Sequence, residues 1–230
     1  MANECDKAEY RACILDVVVL ESDGTPEGGP EGRYVTDQFI TVVATDVYDE
    51  GTAVVQRKAC GGFALNAPAE PVFQRLDLTM TLTHPDPNLE ATLMDMDILN
   101  ATGRAAGLGD RSLGSLLTRH VSIELYTHRN DPDTQADDAT YPYQRHLFPR
   151  TRWRRARIGE FSANGLQPDY VGIAYENANW KDGLDDGVGR AWPWGSAPSN
   201  KVHQSIPWGN PALGDLLPDV SCDFVAAVGS

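Results

Sequence analysis

The sequence predicts a mainly β fold: an antiparallel β-sandwich or rolled sheet with one short flanking helix and long loops. Three observations predict it. The segment RLDLTMTLT alternates strictly, with Leu76, Leu78, Met80 and Leu82 on one side and Arg75, Asp77, Thr79, Thr81 and Thr83 on the other; this is the period of a strand with one buried and one wet face. Other β-branched and aromatic runs recur along the 230 residues, separated by turn signals drawn from 21 glycines and 15 prolines. The strand–helix alternation of a parallel sheet is missing.

Taken in order, ACILDVVVL (Ala12–Leu20) is almost continuously apolar and reads as a central strand. Residues 21–32 (ESDGTPEGGPEG) form a long loop, and residues 34–45 form a strand. A turn at 49–51 leads to a short strand at 52–56, and Gly61 and Gly62 break the chain again. After the alternating strand, Asp86 precedes Pro87, an N-cap followed by a first-turn proline, and Leu89 and Leu93 share a helix face. Residues 101–114 are small and glycine-rich, whereas Val121, Ile123 and Leu125 alternate as a strand. An acidic loop at 131–139 and strands at 153–162 and 170–175 follow. Residues 180–211 read as an irregular insertion, because Pro193, Pro198, Pro207 and Pro211 oppose a helix or a central strand. A last strand spans 220–228, and nothing marks a second domain, so one β domain over residues 1–230 is expected.

Net charge is −14, opposite in sign to a protein that binds nucleic acid by neutralising phosphates. The polar N-terminal stretch MANECDKAEYRAC lacks the apolar core of a signal peptide, and no run of eighteen apolar residues occurs. Synthesis in a cytoplasm without membrane insertion is expected. Cys5, Cys13, Cys60 and Cys222 show no CxxC pair, and a buried thiol is the expectation for Cys13 and Cys222.

Catalytic signatures are absent from the sequence. GxxxxGK[ST], GxSxG and HExxH do not occur; Gly107, Gly109 and Gly114 miss the GxGxxG spacing. His84, His120, His128, His146 and His203 form no pair at helical spacing, and Asp95/Asp97 and Asp185/Asp186 lack the order of a calcium loop. A glycosidase dyad stays open on sequence, because its two acids need no fixed spacing. The expectation is a non-enzyme with no cofactor and no metal.

Two clusters suggest contacts instead. Trp192, Trp194 and Trp208 lie in the proline-rich segment; they suit a subunit interface, with sugar stacking in a carbohydrate-binding β-sandwich as the alternative. RTRWRRAR carries Arg150, Arg152, Arg154, Arg155 and Arg157 with no acid, and pairing with acidic loops of a second copy is the expectation for it. At strand period Arg150, Arg152 and Arg154 share one face, with Trp153 and Arg155 on the other.

The succession of a cysteine-bearing N-terminal segment, an apolar strand, a Gly/Pro loop, YVTDQFITVV, an acidic EG turn, a strand ending in KACG, then RLDLTMTL and HPDPNLEATLM resembles the major tail tube proteins of long-tailed, non-contractile (siphovirus-type) bacteriophages, particularly those of actinobacterial hosts. Asp86, Pro87 and Leu89 match that family's "DP-x-L" helix start. The resemblance covers about residues 4–100 and extends more loosely beyond. The chain departs from the family pattern in having no glycine directly after the helix, where MDMDILN stands, and in the length of residues 180–211.

The resemblance implies a structural virion protein of the tail, made in the host cytoplasm. Its subunits form hexameric rings that stack into a hollow tube, and double-stranded DNA passes through the lumen without specific binding. The tape-measure protein, the tail terminator and distal tail proteins are its implied partners. In that frame Asp77, Thr79, Thr81 and Thr83 are expected to face the lumen. Arg150, Arg152, Arg154, Arg155, Trp192, Trp194 and Trp208 are expected between subunits, and Asp23, Glu27 and Glu31 between rings.

Overall fold

The computed structural model describes residues 12–27, 29–57, 60, 63–101, 104–109, 116, 118–128, 142–157, 167–179, 201–208 and 224–227. The elements run β1 (Ala12–Leu20), β2 (Gly29–Thr36), β3 (Phe39–Asp49), β4 (Val54–Arg57), β5 (Phe63–Ala67), β6 (Val72–Leu82), α1 (Pro87–Met94), β7 (Ile98–Ala101), β8 (Arg104–Leu108), β9 (His120–His128), β10 (Tyr143–Arg157), β11 (Asp169–Tyr175), β12 (Gln204–Trp208) and β13 (Phe224–Ala227). The main sheet has nine strands in the order β13-β2-β1-β9-β10-β11-β6-β3, with β12 also on β10; β4–β5 and β7–β8 are separate two-stranded sheets. The mainly antiparallel β class with a short helix is therefore the fold that forms.

Several boundaries differ from expectation; the strand expected to start at Trp153 starts ten residues earlier, at Tyr143. The loop after β1 is shorter than 21–32, since β2 begins at Gly29 and takes Glu31 into the sheet. The strand expected at 34–45 is two, broken at Asp37 and Gln38, where the Thr36 hydroxyl accepts the Gln38 N–H at 3.0 Å. Residues 180–211 are not irregular throughout: Gln204–Trp208 pairs with Tyr143–Leu147. Pro207 is tolerated there because β12 pairs on one side only.

Leu15, Val17 and Val19 of β1, Tyr34 of β2, Leu76 to Leu82 of β6 and Phe39 of β3 belong to one buried cluster with Leu89 and Leu93 of α1. Strands from both ends of the sheet share that core, so the sheet is rolled around it. Beyond a register irregularity between Ala12 and Ile14, neighbouring residues of β1 point oppositely, and Ile14 and Leu20, together with Cys13 at the irregularity, join a second cluster with Val35, Tyr126, Leu147 and Ile206 on the other face.

α1 plugs the roll. Asp86 caps it by accepting from the N–H groups of Asn88 (3.1 Å) and Leu89 (3.2 Å), and the Tyr34 hydroxyl donates to the same carboxylate at 2.5 Å. Pro87 fits the first turn because its missing N–H has no partner there in any helix. The helix stops at Asp95, which takes the left-handed conformation (φ 57°) that glycine takes at most helix ends.

β10 carries an extra residue. Phe148 faces Ile123 of β9 while Thr151 faces Val121. That bulge exchanges the two faces, so Phe148 and Trp153 both enter the first core. Pro149 sits within it, where a missing N–H does no harm. Its carbonyl accepts from Asn177 at 3.2 Å. Trp153 lies over Gly172 of β11, its register partner. A Cβ on Gly172 would stand 2.7 Å from the indole Cδ2.

Asp16 and Glu124, register partners on β1 and β9, are both buried. Arg33 reaches Asp16 through two hydrogen bonds of 2.9 and 2.6 Å, and Arg145 pairs with Glu124, which also accepts from the Tyr126 hydroxyl at 2.6 Å. Two acids side by side in a dry interior repel, and the two bidentate arginines cancel them.

Two predictions follow from this packing. Gly172→Ala should lower stability by about 1–3 kcal/mol, read as a lower urea midpoint, because the ring has no room for the methyl. Glu124→Gln should cost about 3–5 kcal/mol, whereas Glu124→Leu combined with Arg145→Met should recover most of that loss; equal losses for the two variants would refute the pairing as the cause.

Candidate functional site

The outer face of β10–β11–β6–β3 is the wet face that the alternation of β6 requires. Its rows are set by register. Arg152, Ile173, Asp77 and Thr45 form one row, and Arg154, Val171, Thr79 and Val43 the next. Behind them Trp153, Leu78 and Met80 are buried. The structure thus brings together two sets of residues expected on different surfaces: the threonines with Asp77, and the arginines of β10.

Asp77 is not a bare anion. Arg75, two residues away on the same face, binds it at 2.8 Å. Thr79 is exposed; Thr81 is half-buried and donates to Asp169 at 2.7 Å. Thr83 lies just past the strand, its hydroxyl donating to the Gln38 carbonyl at 3.2 Å. The wet side of β6 is therefore polar and locally neutralised.

The arginines divide. Arg155 faces α1 and binds the buried Glu90, so it has a partner within the chain. Arg157 pairs with Asp169. Arg150, Arg152 and Arg154 make no ion pair among the described residues. Arg152 is fixed by the Tyr175 hydroxyl at 3.0 Å and lies 5.6 Å from that ring's centroid. Arg150 approaches His120 Nδ1 at 3.4 Å. Burial first, then Arg150 and Arg152, lower the His120 pKa, keeping it neutral at pH 7.

The loop between β1 and β2 is held down. Asn177 donates to the Gly24 carbonyl at 2.8 Å and Asn179 to that of Asp23. Gly24 has φ 91°, and its Cβ would meet Asn177 Oδ1 at 2.5 Å, so glycine is required there. Asp23 is exposed and accepts from Thr25 N–H (2.9 Å) and hydroxyl (2.7 Å), which lower its pKa. Glu27 donates its N–H to Val19 at 2.8 Å.

Trp192 and Trp194 lie outside the described residues, and of Trp208 only the backbone in β12 is described. Among the described residues no three His, Cys, Asp or Glu converge to hold a metal, and no helix is long and apolar enough to cross a membrane. Sequence reasoning missed Glu90 as the partner of Arg155, and it missed the buried acids Asp16 and Glu124. A charge inside an apolar strand run was the available signal for Asp16.

No family model and no curated protein matches the chain. Among solved structures it is similar to a chain of the sheath–tube complex of an extracellular contractile injection system (PVC) in the extended state, with TM-score 0.33 and 10% identity over 75% of this chain and 91% of that one. It is also similar to the anti-feeding prophage cap (AFP tube terminating cap), with TM-score 0.31 and 11% identity over 76% of this chain and 95% of that one.

The segment before β12 closes the roll near β10. Val202 packs on the first core, and the His203 ring stacks on Phe148 (centroids 4.7 Å) and on His146 (5.6 Å). The facing polar groups are Thr127, 3.4 Å from His146 Nε2, and the Asp46 carboxylate, which partly offsets the loss of charge. Burial lowers the pKa of both histidines; with His146 adding to it, His203 falls to about 4. An undocked His203 takes a proton below about pH 6.5. The docked, neutral form is therefore favoured above that pH and is penalised progressively as pH falls towards 4. Amide protection in β12 should drop between pH 7 and 4.5, and His203→Phe should abolish the drop.

Proposed function

We propose that this chain is a structural tube subunit, joined to copies of itself in hexameric rings that stack into a phage tail tube. The observation that carries the reading is the open side of the rolled sheet. β3 pairs only with β6 among the described residues and leaves an 11-residue edge strand. Ile40, Val43 and Tyr48 on β3 are about half exposed, as are Val72 and Phe73 at the adjoining end of β6. An unprotected edge flanked by apolar side chains is unfavourable for a monomer and is removed when a second sheet joins it. The tail tube resemblance supplies the arrangement in which six such joints close a continuous barrel.

In this reading the β6–β3 part of the wet face lines the lumen, with Asp77, Thr79, Thr81 and Thr83 towards the DNA. The Arg75–Asp77 pair leaves that wall nearly neutral, and the chain's overall acidity discourages adhesion of phosphates. β10 lies two strands away, roughly 10 Å by ordinary strand spacing, which leaves Arg150, Arg152 and Arg154 for the neighbouring subunit. Asp23, Glu27 and Glu31 contact the next ring, and Trp192, Trp194 and Trp208 pack between subunits. The tape-measure protein occupies the lumen during assembly, and terminator and distal tail proteins close the ends.

Negative-stain microscopy of the purified chain should show tubes of constant width and regular axial repeat. Val43→Lys with Phe73→Glu should abolish the tubes and leave a folded monomer by circular dichroism. A wild-type chain that stays monomeric at high concentration would sink the proposal.

A further inference from the structure

A concavity of about 910 Å³ lies over β10, β11 and β6, lined by Arg152, Arg154, Arg75 and Asp77 together with the apolar Val171 and Ile173. Thr118 and His120 also line it, and Arg150 lines an adjoining hollow that shares Arg75, His120, Arg152 and Ile173 with it. The acids of the same sheet face are already engaged, Asp77 by Arg75 and Asp169 by Arg157. Glu176, at the edge of the adjoining hollow, makes no ion pair among the described residues. Arg150, Arg152 and Arg154 therefore stand without an ion pair among the described residues, in a chain of net charge −14.

Resting on the self-assembly reading above, we propose that the β10 side of this groove, where Arg150, Arg152 and Arg154 stand, is the docking site for the acidic segment 131–138 of a second copy, with Asp77 and Thr79 on its β6 side left to the lumen. That segment, DPDTQADD, offers Asp131, Asp133, Asp137 and Asp138 within eight residues and contains no lysine or arginine. Carboxylates bind arginine through paired hydrogen bonds, and alanine and threonine between them suit an apolar lining. The held position of Arg152 against Tyr175 lowers the ordering cost of such a contact. A nucleic acid duplex fits less well: Val171 and Ile173 offer its phosphates and sugars no hydrogen-bond partner. Arg155 takes no part, since Glu90 occupies it.

The test is fluorescence anisotropy of a labelled DPDTQADD peptide against the full-length chain, kept dilute enough to remain unassembled. Binding should occur at low ionic strength and weaken at least tenfold when salt is raised through the physiological range. It should be lost with Arg152→Glu/Arg154→Glu and with a peptide in which asparagine replaces each aspartate. In assembly assays, Arg152→Asp/Arg154→Asp should prevent tubes, and adding Asp137→Arg/Asp138→Arg to the same chain should restore them.

Absence of peptide binding, binding that survives the arginine variants, or preference for a duplex oligonucleotide would each overturn the docking. Tubes from the wild-type chain without peptide binding would remove the docking and leave the tube reading intact. Peptide binding without tubes would support the contact and remove the tube.

Discussion

One extra residue in one strand decides which way most of this molecule points. β10 is 15 residues long and bonds to β9 on one side and to β12 and then β11 on the other. Without the bulge between Phe148 and Thr151, the alternation that buries Phe148 would bury Arg150 and Arg152 and expel Trp153. With it, Trp153 fills the core over Gly172, and the arginines emerge on the wet face. Removing that residue would exchange the whole second half of the strand between faces.

The two faces of the sheet then do different work. The inner face is apolar almost throughout and is closed by α1 and by the segment holding Val202 and His203. The outer face is divided. Over β1, β2 and β9 it is buried and tolerates charge only as the cancelled set Asp16, Arg33, Glu124 and Arg145. Over β10, β11, β6 and β3 it is wet and carries arginine charge that no described acid balances. Such ion pairs contribute little net stability against apolar replacements of equal volume, but they heavily penalise any strand register that separates them.

Much of this was legible in the sequence where a local rule and the final environment agree. β1 and the alternating part of β6 were found because their apolar period is regular, and the helix was found because Asp86 and Pro87 leave little else for the chain to do there. The faces of Arg150, Arg152 and Arg154 relative to Trp153 followed from strand period alone. What remained hidden depends on partners distant in sequence. Nothing near Arg155 announces Glu90, 65 residues earlier. Asp16 looked like an interruption in an apolar run until Arg33 was placed beside it. Pro207 suggested irregular structure, because an edge strand is defined by what fails to lie next to it. The shared face of Asp77 and Arg152 was invisible for the same reason, since it is a property of β11 standing between them.

Among the described residues the two ends of the main sheet are unlike: β3 spans 11 residues and β13 spans 4. Two copies joined through such edges cannot be related by a two-fold axis, because each contributes a different surface. A joint of that kind has a sense, like the head and tail of a brick. Repeated around a closed ring it gives every ring a clockwise and an anticlockwise side, so the two openings of the ring differ. Rings stacked in one sense would inherit the difference, and a column built that way would have one end that differs chemically from the other.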